Sequence, residues 1–234
     1  MIRNYRLMKC MGIAPRTVIH VGSHYGQDNN QYELLNVESI YWCEADSICA
    51  SELRSRYPNS RVIEGVFWSA VGKKMDFWIM SNRAHNSLYQ PKLSDEGIRR
   101  VKVSTTTLDF EFQDLELTPP IMLILDVQGA ELEVLRGSSK LLSTVNFLVC
   151  EITDKSSISN FSVTRNDVEK LLKPLDYSRS IRRWSFSGEY FDQLYVRRSK
   201  IKILRILVVD LIYKLFLLSR FLLRKFKSRY LRAH

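Results

Sequence analysis

Cysteine is scarce in this sequence, and its spacing argues against two kinds of stabilised fold. The four cysteines, Cys10, Cys43, Cys49 and Cys150, are spread over 234 residues. None forms a C-x-x-C pair, and no histidine stands at metal-ligand spacing from them. We therefore expect neither a structural zinc site nor a disulfide framework, and a reducing compartment fits this usage best.

Long apolar runs are also missing from the chain. A membrane-spanning helix needs about 20 consecutive apolar residues, and no uninterrupted run approaches that length. Residues 1–16 are interrupted by Arg3, Arg6 and Lys9, which is not the pattern of a secretory signal. The composition, with 45% hydrophobic and 26% charged residues, is that of a globular protein. We expect it to be cytoplasmic.

The first 199 residues lack an excess of charge of either sign. The whole chain has a net charge of +10, but residues 200–234 hold ten Lys and Arg against one acid, Asp210. That segment accounts for +9 and leaves only +1 for residues 1–199. A nucleic-acid-binding domain normally carries a basic patch on its own surface. We expect no nucleic-acid partner, and we divide the chain into a domain at 1–199 and a basic tail at 200–234.

The tail is predicted to form a basic amphipathic helix. Lys202, Arg220 and Arg224 fall on one side of a helical projection, opposite an apolar face made of Leu204, Val208, Leu211, Leu215, Leu218 and Leu222. Such a helix binds the interface of an anionic membrane. This would hold the protein peripherally on the inner face of the membrane. Packing of the tail on its own domain and dimerisation are the alternatives.

Short apolar runs alternate with helical patterns along residues 1–199. Runs typical of strands buried on both faces of a parallel sheet occupy residues 17–21, 39–43, 61–66, 121–125 and 145–150. Helices are predicted at residues 29–35, 47–56, 130–142 and 163–172. Further strands are predicted at residues 75–80, 100–104 and 192–197. The alternation predicts an α/β fold with a Rossmann-like, doubly wound, mostly parallel sheet.

The turn after the first predicted strand is the default nucleotide site of such a fold. It contains Gly22, Ser23, His24 and Gly26, with the two glycines suited to a sharp turn and to close packing. The dinucleotide pattern G-x-G-x-x-G fails because His24 occupies its middle glycine. A pyrophosphate cofactor is therefore disfavoured, whereas a nucleoside without phosphates tolerates this side chain. A tight turn without a ligand is the alternative.

Two acids follow predicted strands at the same edge of the sheet. Glu44 ends the second strand, about 20 residues after the glycine turn, where an acid accepts hydrogen bonds from ribose hydroxyls. Asp126 ends the apolar run at 121–125, and Gly129 then lets the chain turn into a helix with Glu131 in its first turn. Glu131 also suits a helix N-terminus on electrostatic grounds alone. Asp126 needs polar partners, which a ligand edge supplies.

Residues 126–131, followed by Val134, Leu135, Arg136 and Gly137, resemble the signature of the FkbM-type methyltransferase family. Three further segments resemble elements of the same family and stand in the expected order: residues 19–27, 107–109 and 191–196. The resemblance covers roughly residues 17–198. Many relatives carry Asp where this chain has His20, and Glu where it has Gln128.

The resemblance implies a class I methyltransferase fold, S-adenosylmethionine as the methyl donor, and O-methylation of a sugar, glycan or small metabolite. Together with the positions of the turn and of the two acids, it makes Gly22, Ser23, His24, Gly26, Glu44 and Asp126 the candidate cofactor-binding residues. Asp126 is the first candidate for the base that takes the hydroxyl proton, and Glu131 is the second. His85, with Asn86, would reach the site if residues 82–88 form a lid, although an exposed loop histidine is the plainer interpretation.

Other properties stay open at this level. Acceptor specificity is predicted to lie in residues 81–100 and in a loop at 178–190, where Arg182, Arg183 and Trp184 stand. No metal constellation is evident, and the oligomeric state is unreadable. A catalytically silent nucleoside-binding module is the main alternative, because His20 and Gln128 depart from the family pattern. A nicotinamide oxidoreductase is a third possibility, against which His24 argues.

Overall fold

A computed structural model describes residues 8–9, 12–92, 97–153, 163–182, 190–197 and 211. The main sheet has seven strands: β1 (Thr17–Val21), β2 (Ser39–Glu44), β3 (Arg61–Glu64), β7 (Ile121–Leu125), β8 (Phe147–Thr153), β9 (Tyr177–Arg182) and β10 (Tyr190–Arg197). A smaller sheet has three: β4 (Val66–Phe67), β5 (Lys74–Ile79) and β6 (Arg99–Thr106). The helices are α1 (Asn29–Leu34), α2 (Ser47–Arg56), α3 (Leu108–Phe112), α4 (Glu131–Arg136), α5 (Ser139–Leu142) and α6 (Arg165–Leu172), followed by a 3-10 turn at Lys173–Leu175.

The main sheet is doubly wound, as the sequence predicts. Its strand order is β3-β2-β1-β7-β8-β10-β9. Strands β3, β2, β1, β7 and β8 run parallel, and β10 is antiparallel to both of its neighbours. The strand order reverses direction between β1 and β7, and ligands of open α/β sheets bind outside the carboxyl ends of the strands at this point. The Rossmann-like fold class is therefore confirmed.

Both faces of the sheet are covered by helices, which explains the continuous apolar runs. One buried cluster contains Ile19 and Val21 of β1 and packs against apolar residues of α3, α4, α5 and α6. The other contains Val18 of β1 and packs against Tyr32 of α1 and Leu53 of α2. Successive strand residues point to opposite faces, so a strand buried on both faces has no need of polar alternation.

Two predicted elements are divided in the structure. The predicted strand at 61–66 is wrong in extent, because β3 ends at Glu64 and β4 pairs with β6 in the smaller sheet. The predicted helix at 130–142 is interrupted after Arg136. A Cβ atom on Gly137 would lie 2.1 Å from the backbone oxygen of Trp68, so this position must stay a glycine. The local sequence does not reveal such a contact between distant segments.

The structure describes part of the predicted specificity loop and one residue of the tail. Residues 178–182 belong to β9, which pairs with β10. The prediction of a loop at 178–190 is therefore wrong for these five residues. Arg183, Trp184 and, apart from Leu211, the tail at 200–234 lie outside the described residues. Within the described ranges, no helix is long and apolar enough to span a membrane. The described cysteines Cys43, Cys49 and Cys150 are buried free thiols.

Candidate active site

A cleft opens to solvent at the point where the strand order reverses. Its walls come from five places in the chain, namely the turn after β1, the end of β2 with the start of β4, Phe77 of β5, residues 83–88, and the turn after β7. Among the predicted site residues, Gly22, His24, Glu44 and Asp126 line it.

The turn after β1 is packed directly against the turn after β7. Gly22 has a φ of +78°, and a Cβ atom there would lie 1.8 Å from the backbone oxygen of Asp126. Glycine is therefore required both by backbone conformation and by space. The Ser23 hydroxyl donates to the Cys43 carbonyl at 3.4 Å, and Gly26 packs closely on Tyr57. Ser23 and Gly26 thus shape the turn and do not line the cleft.

His24 lines the cleft and has one ring nitrogen without a hydrogen-bond partner in the described part of the chain. Its Nδ1 is 2.6 Å from the side-chain nitrogen of Gln27, whereas its buried Nε2 has no hydrogen-bond partner among the described residues. Its φ of +50° is unusual for a residue other than glycine. Burial lowers the pKa of the imidazole, so the ring is neutral near pH 7. A neutral Nε2 offers a ligand one hydrogen bond.

Glu44 is buried at the end of β2, and backbone N–H groups hold its carboxylate. The His24 N–H donates to Oε2 at 2.7 Å, and the N–H groups of Ala45 and Asp46 donate to Oε1, each at 2.9 Å. Three of roughly four lone-pair positions are thereby used, which leaves one on Oε2 for a ligand hydroxyl. Burial raises the pKa of Glu44 to about 7, against the opposing effect of these hydrogen bonds.

Asp126 and Glu131 have different surroundings, although they are only five positions apart in the chain. Asp126 lines the cleft and accepts a hydrogen bond from Gln128 Nε2 at 2.7 Å. Burial and the nearby Asp192 raise its pKa to about 6. Glu131 is fully buried and accepts hydrogen bonds from the N–H groups of Val127 and Gly129, so it holds the turn before α4 and does not line the cleft.

Residues 82–87, which we call the bridging segment, connect the two sides of the cleft. On one side Arg83 forms an ion pair with Asp46, and Asn86 donates to the same carboxylate at 2.9 Å. On the other side His85 Nδ1 lies 3.3 Å from Gln128 Oε1. His85 is therefore beside the cleft, in contact with Gln128, and does not line it.

The sequence interpretation did not include several of these residues. Asp46 is the N-cap of α2, because its Oδ1 accepts from the N–H groups of Ile48 and Cys49, and an Asp before a helix is a recognisable signal. Arg83 is 37 residues away from Asp46 along the chain, and no local pattern marks the pairing. In the sequence, Gln128 stands out only as a departure from the family pattern.

Comparison with known protein families gives the assignment. Residues 20–179 match the model of the methyltransferase FkbM domain. The chain belongs to the FkbM methyltransferase family. The resemblance seen in the sequence is therefore confirmed.

The relatives of this FkbM-family chain match it only in part. A hexuronic acid methyltransferase, AglP of Haloferax volcanii, is 36% identical over 90 residues, which are 38% of this chain and 34% of that relative. The chain thus spans about a third of the relative's length. Magnesium protoporphyrin IX methyltransferase of Synechocystis, solved with bound SAH, is 11% identical with a TM-score of 0.47, covering 82% of this chain and 80% of that one.

The ribosomal protein L11 methylase of Lactobacillus delbrueckii gives a TM-score of 0.45 at 11% identity, covering 82% of this chain and 76% of that one. Because both TM-scores lie below 0.5, the fold assignment rests on the strand order and on the family match.

Proposed function

We propose that this FkbM-family methyltransferase uses S-adenosylmethionine to methylate a hydroxyl group of a sugar or glycan. The observation that carries the proposal is the pairing, in one cleft, of a nearly saturated Glu44 carboxylate with Asp126. Glu44 suits a ribose hydroxyl, and Asp126 suits the hydroxyl of an acceptor. The name of the Haloferax relative supports a sugar acceptor.

The residues of the cleft fit a nucleoside cofactor. The unpartnered Nε2 of His24 and the free lone pair of Glu44 offer polar contacts on one side. Ala45, Val66 and Phe67 give an apolar wall beyond Glu44, which suits a purine base. A pyrophosphate would instead lie close to the Glu44 carboxylate and the His24 side chain, where repulsion and crowding disfavour it.

The residues of the chain provide positioning and proton transfer. When bound, S-adenosylmethionine supplies an electrophilic methyl group, whose transfer to a hydroxyl oxygen leaves S-adenosylhomocysteine and releases one proton. Asp126 accepts that proton, because its carboxylate lines the cleft and is largely ionised above pH 6. The remaining contribution is orientation of the two reactants by the cleft walls.

The first test is calorimetric titration of the full chain with S-adenosylhomocysteine, with NAD as a control. We expect S-adenosylhomocysteine to bind and NAD not to bind. Glu44→Gln should weaken binding at least tenfold, because an amide cannot accept all three backbone N–H groups and a ribose hydroxyl. Glu64→Gln is the matched control, since Glu64 ends the neighbouring strand in register with Glu44 but is exposed and pairs with Arg54.

The second test is turnover with labelled donor and glycans that contain uronic acid. We expect methyl transfer by the natural chain and a loss of at least a hundredfold in Asp126→Asn, within the range expected for a general base. Binding of S-adenosylhomocysteine without turnover of any acceptor would favour the catalytically silent module. No binding of S-adenosylhomocysteine would contradict the cofactor assignment itself.

A further inference from the structure

Gln128 has more contacts around the cleft than its place in a short turn requires. Its Nε2 donates to Asp126 Oδ1 at 2.7 Å and lies 3.4 Å from Glu151 Oε2. Its Oε1 faces His85, and its backbone oxygen accepts from the Ser87 hydroxyl at 3.0 Å. A φ of +52° puts this residue in the left-handed region. Such backbone conformations are unfavourable for residues other than glycine, and surrounding contacts must hold them.

The surroundings of Asp126 are strongly acidic. Asp192 on β10, Glu151 on β8, Asp28 before α1 and Glu131 on α4 all interact electrostatically with it. Each of these carboxylates disfavours a charge on Asp126. Among the described residues, Gln128 is the side chain that donates a hydrogen bond to Asp126, and this bond favours the ionised form.

We propose that Gln128 is a positioning residue that keeps the Asp126 carboxylate ionised and directed into the cleft. The inference rests on the proposed function, because the purpose of the ionised carboxylate is to take the acceptor's proton. With Oδ1 engaged by the Gln128 amide, Oδ2 accepts no hydrogen bond from the described part of the chain. Gln128 thus fixes the orientation of the Asp126 carboxylate, which leaves Oδ2 free of hydrogen bonds from the described residues and leaves one lone pair on Oδ1 for the hydroxyl.

The amide acts on Asp126 differently from the glutamate that many relatives carry at this position. A glutamate at 128 would have the same shape but would offer no N–H to Asp126. It would also add one more acid to the group formed by Asp126, Glu151 and Asp192. Methionine at 128 would remove the N–H and leave the charge unchanged. The two variants therefore separate the loss of the hydrogen bond from the addition of charge.

The test is a pH titration of the full chain carrying ¹³C at the aspartate side-chain carboxyls, followed by NMR. The Asp126 signal is identified by its loss in Asp126→Asn. We expect its titration midpoint to rise by about one pH unit or more in Gln128→Glu, and by less in Gln128→Met. Gln113→Glu, an exposed position outside the cleft lining, should leave the midpoint unchanged. Unchanged midpoints in both Gln128 variants would overturn the proposal.

Activity gives the second measurement. In Gln128→Glu, the acidic limb of kcat/KM against pH should move upward with the Asp126 midpoint, and the rate should recover at high pH. A uniform loss at every pH would show that Gln128 only packs, and would contradict the proposal. Thermal unfolding establishes that each variant folds.

Failure of the proposed function has a different signature. It would be seen in the natural chain, as absent S-adenosylhomocysteine binding or absent turnover. Failure of the inference about Gln128 would be seen only in the Gln128 variants, where the titration of Asp126 would not move.

Discussion

At the scale of single residues, two buried carboxylates of this protein are held by hydrogen bonds from backbone N–H groups. Glu44 accepts three such hydrogen bonds, and Glu131 accepts them from Val127 and Gly129. These bonds favour the charged form, but burial outweighs them and raises the pKa of each carboxyl to about 7. A charge on either group above pH 7 therefore acts against folding.

Glu131 yields a prediction about pH and stability. Its folded pKa is raised above its unfolded value, so the folded state binds the extra proton between about pH 4.5 and 7, and stability falls as pH rises through that window. Glu131→Gln should flatten this fall, by roughly 2 kcal/mol or about 5 °C in Tm between pH 5 and 8. Thermal unfolding at a series of pH values measures it.

The hydrogen-bond geometry around Glu131 indicates that Glu131→Gln disturbs the fold little. The Glu131 Oε1 atom lies 3.0 Å from the Val127 nitrogen and 3.2 Å from the Gly129 nitrogen, so a single amide oxygen can accept both bonds. Glu116→Gln is the control, since Glu116 is exposed, and it should keep the natural slope. Parallel curves for the natural chain and Glu131→Gln would contradict the prediction.

At the scale of elements, the bridging segment depends on the N-terminus of α2. The Asp46 side chain is only 2% exposed and its partner Arg83 only 19% exposed. One oxygen of Asp46 caps the helix, and the other holds Arg83 and Asn86. The same carboxylate thus joins a helix terminus to one end of the segment that spans the cleft.

Asp46→Asn should loosen the bridging segment and leave the helix intact. Asparagine caps helices about as well as aspartate. Its NH2 group, however, would face the donors of Arg83 and Asn86 and could not accept their hydrogen bonds. Hydrogen exchange of the Met80 and Ser87 amides, both hydrogen-bonded now, should accelerate about tenfold. Asp76→Asn, which also loses pairing with an arginine, should leave both amides unchanged. Equal exchange in the two variants would rule out this dependence.

The sequence predicts the elements well where burial alone decides them. Strand β7 and helix α2 are found with correct bounds, because an apolar run and a helical pattern are local signals. Position 137, at the end of α4, must be glycine because of the backbone of Trp68, about 70 residues earlier in the chain. The role of Gln128 likewise depends on β8 and the bridging segment. Such contacts between distant segments have no local signature.

Several residues of the family signature stabilise the fold by capping helices. Thr107 caps α3 through the Phe110 N–H. Asp109 accepts hydrogen bonds from the N–H groups of Lys140 and Leu141 and so caps α5. A motif that identifies a family therefore need not identify its reacting groups, and only the folded arrangement separates the two classes of residue.

At the scale of the whole molecule, the charge is distributed very unevenly. The tail at 200–234 carries +9 of the net charge of +10, and we propose that it binds an anionic membrane surface. Replacement of Arg224, Lys225 and Lys227 by glutamine should then reduce co-sedimentation with vesicles containing phosphatidylserine. Each basic residue near such a surface contributes about 1 kcal/mol, so the three together should cost well over tenfold in affinity.

The control uses three basic residues of the domain. Arg99, Arg100 and Lys102 on β6 are exposed, and their replacement by glutamine should leave vesicle binding unchanged. Neutral vesicles and high salt should abolish binding of the natural chain. Equal binding of the tail variant and the natural chain would favour a tail that packs on protein.

The position of the smaller sheet in the chain affects which part of the cleft can change independently of the main sheet. Strands β4, β5 and β6 and the bridging segment leave the main sheet after β3 and rejoin it before β7 as one contiguous stretch of chain. The registers of β1 with β2 and β7 do not involve that stretch. Changes within residues 74–106 can therefore alter the cleft wall formed by Phe77 and residues 83–88 without changing the registers that place Glu44 and Asp126 at the ends of β2 and β7.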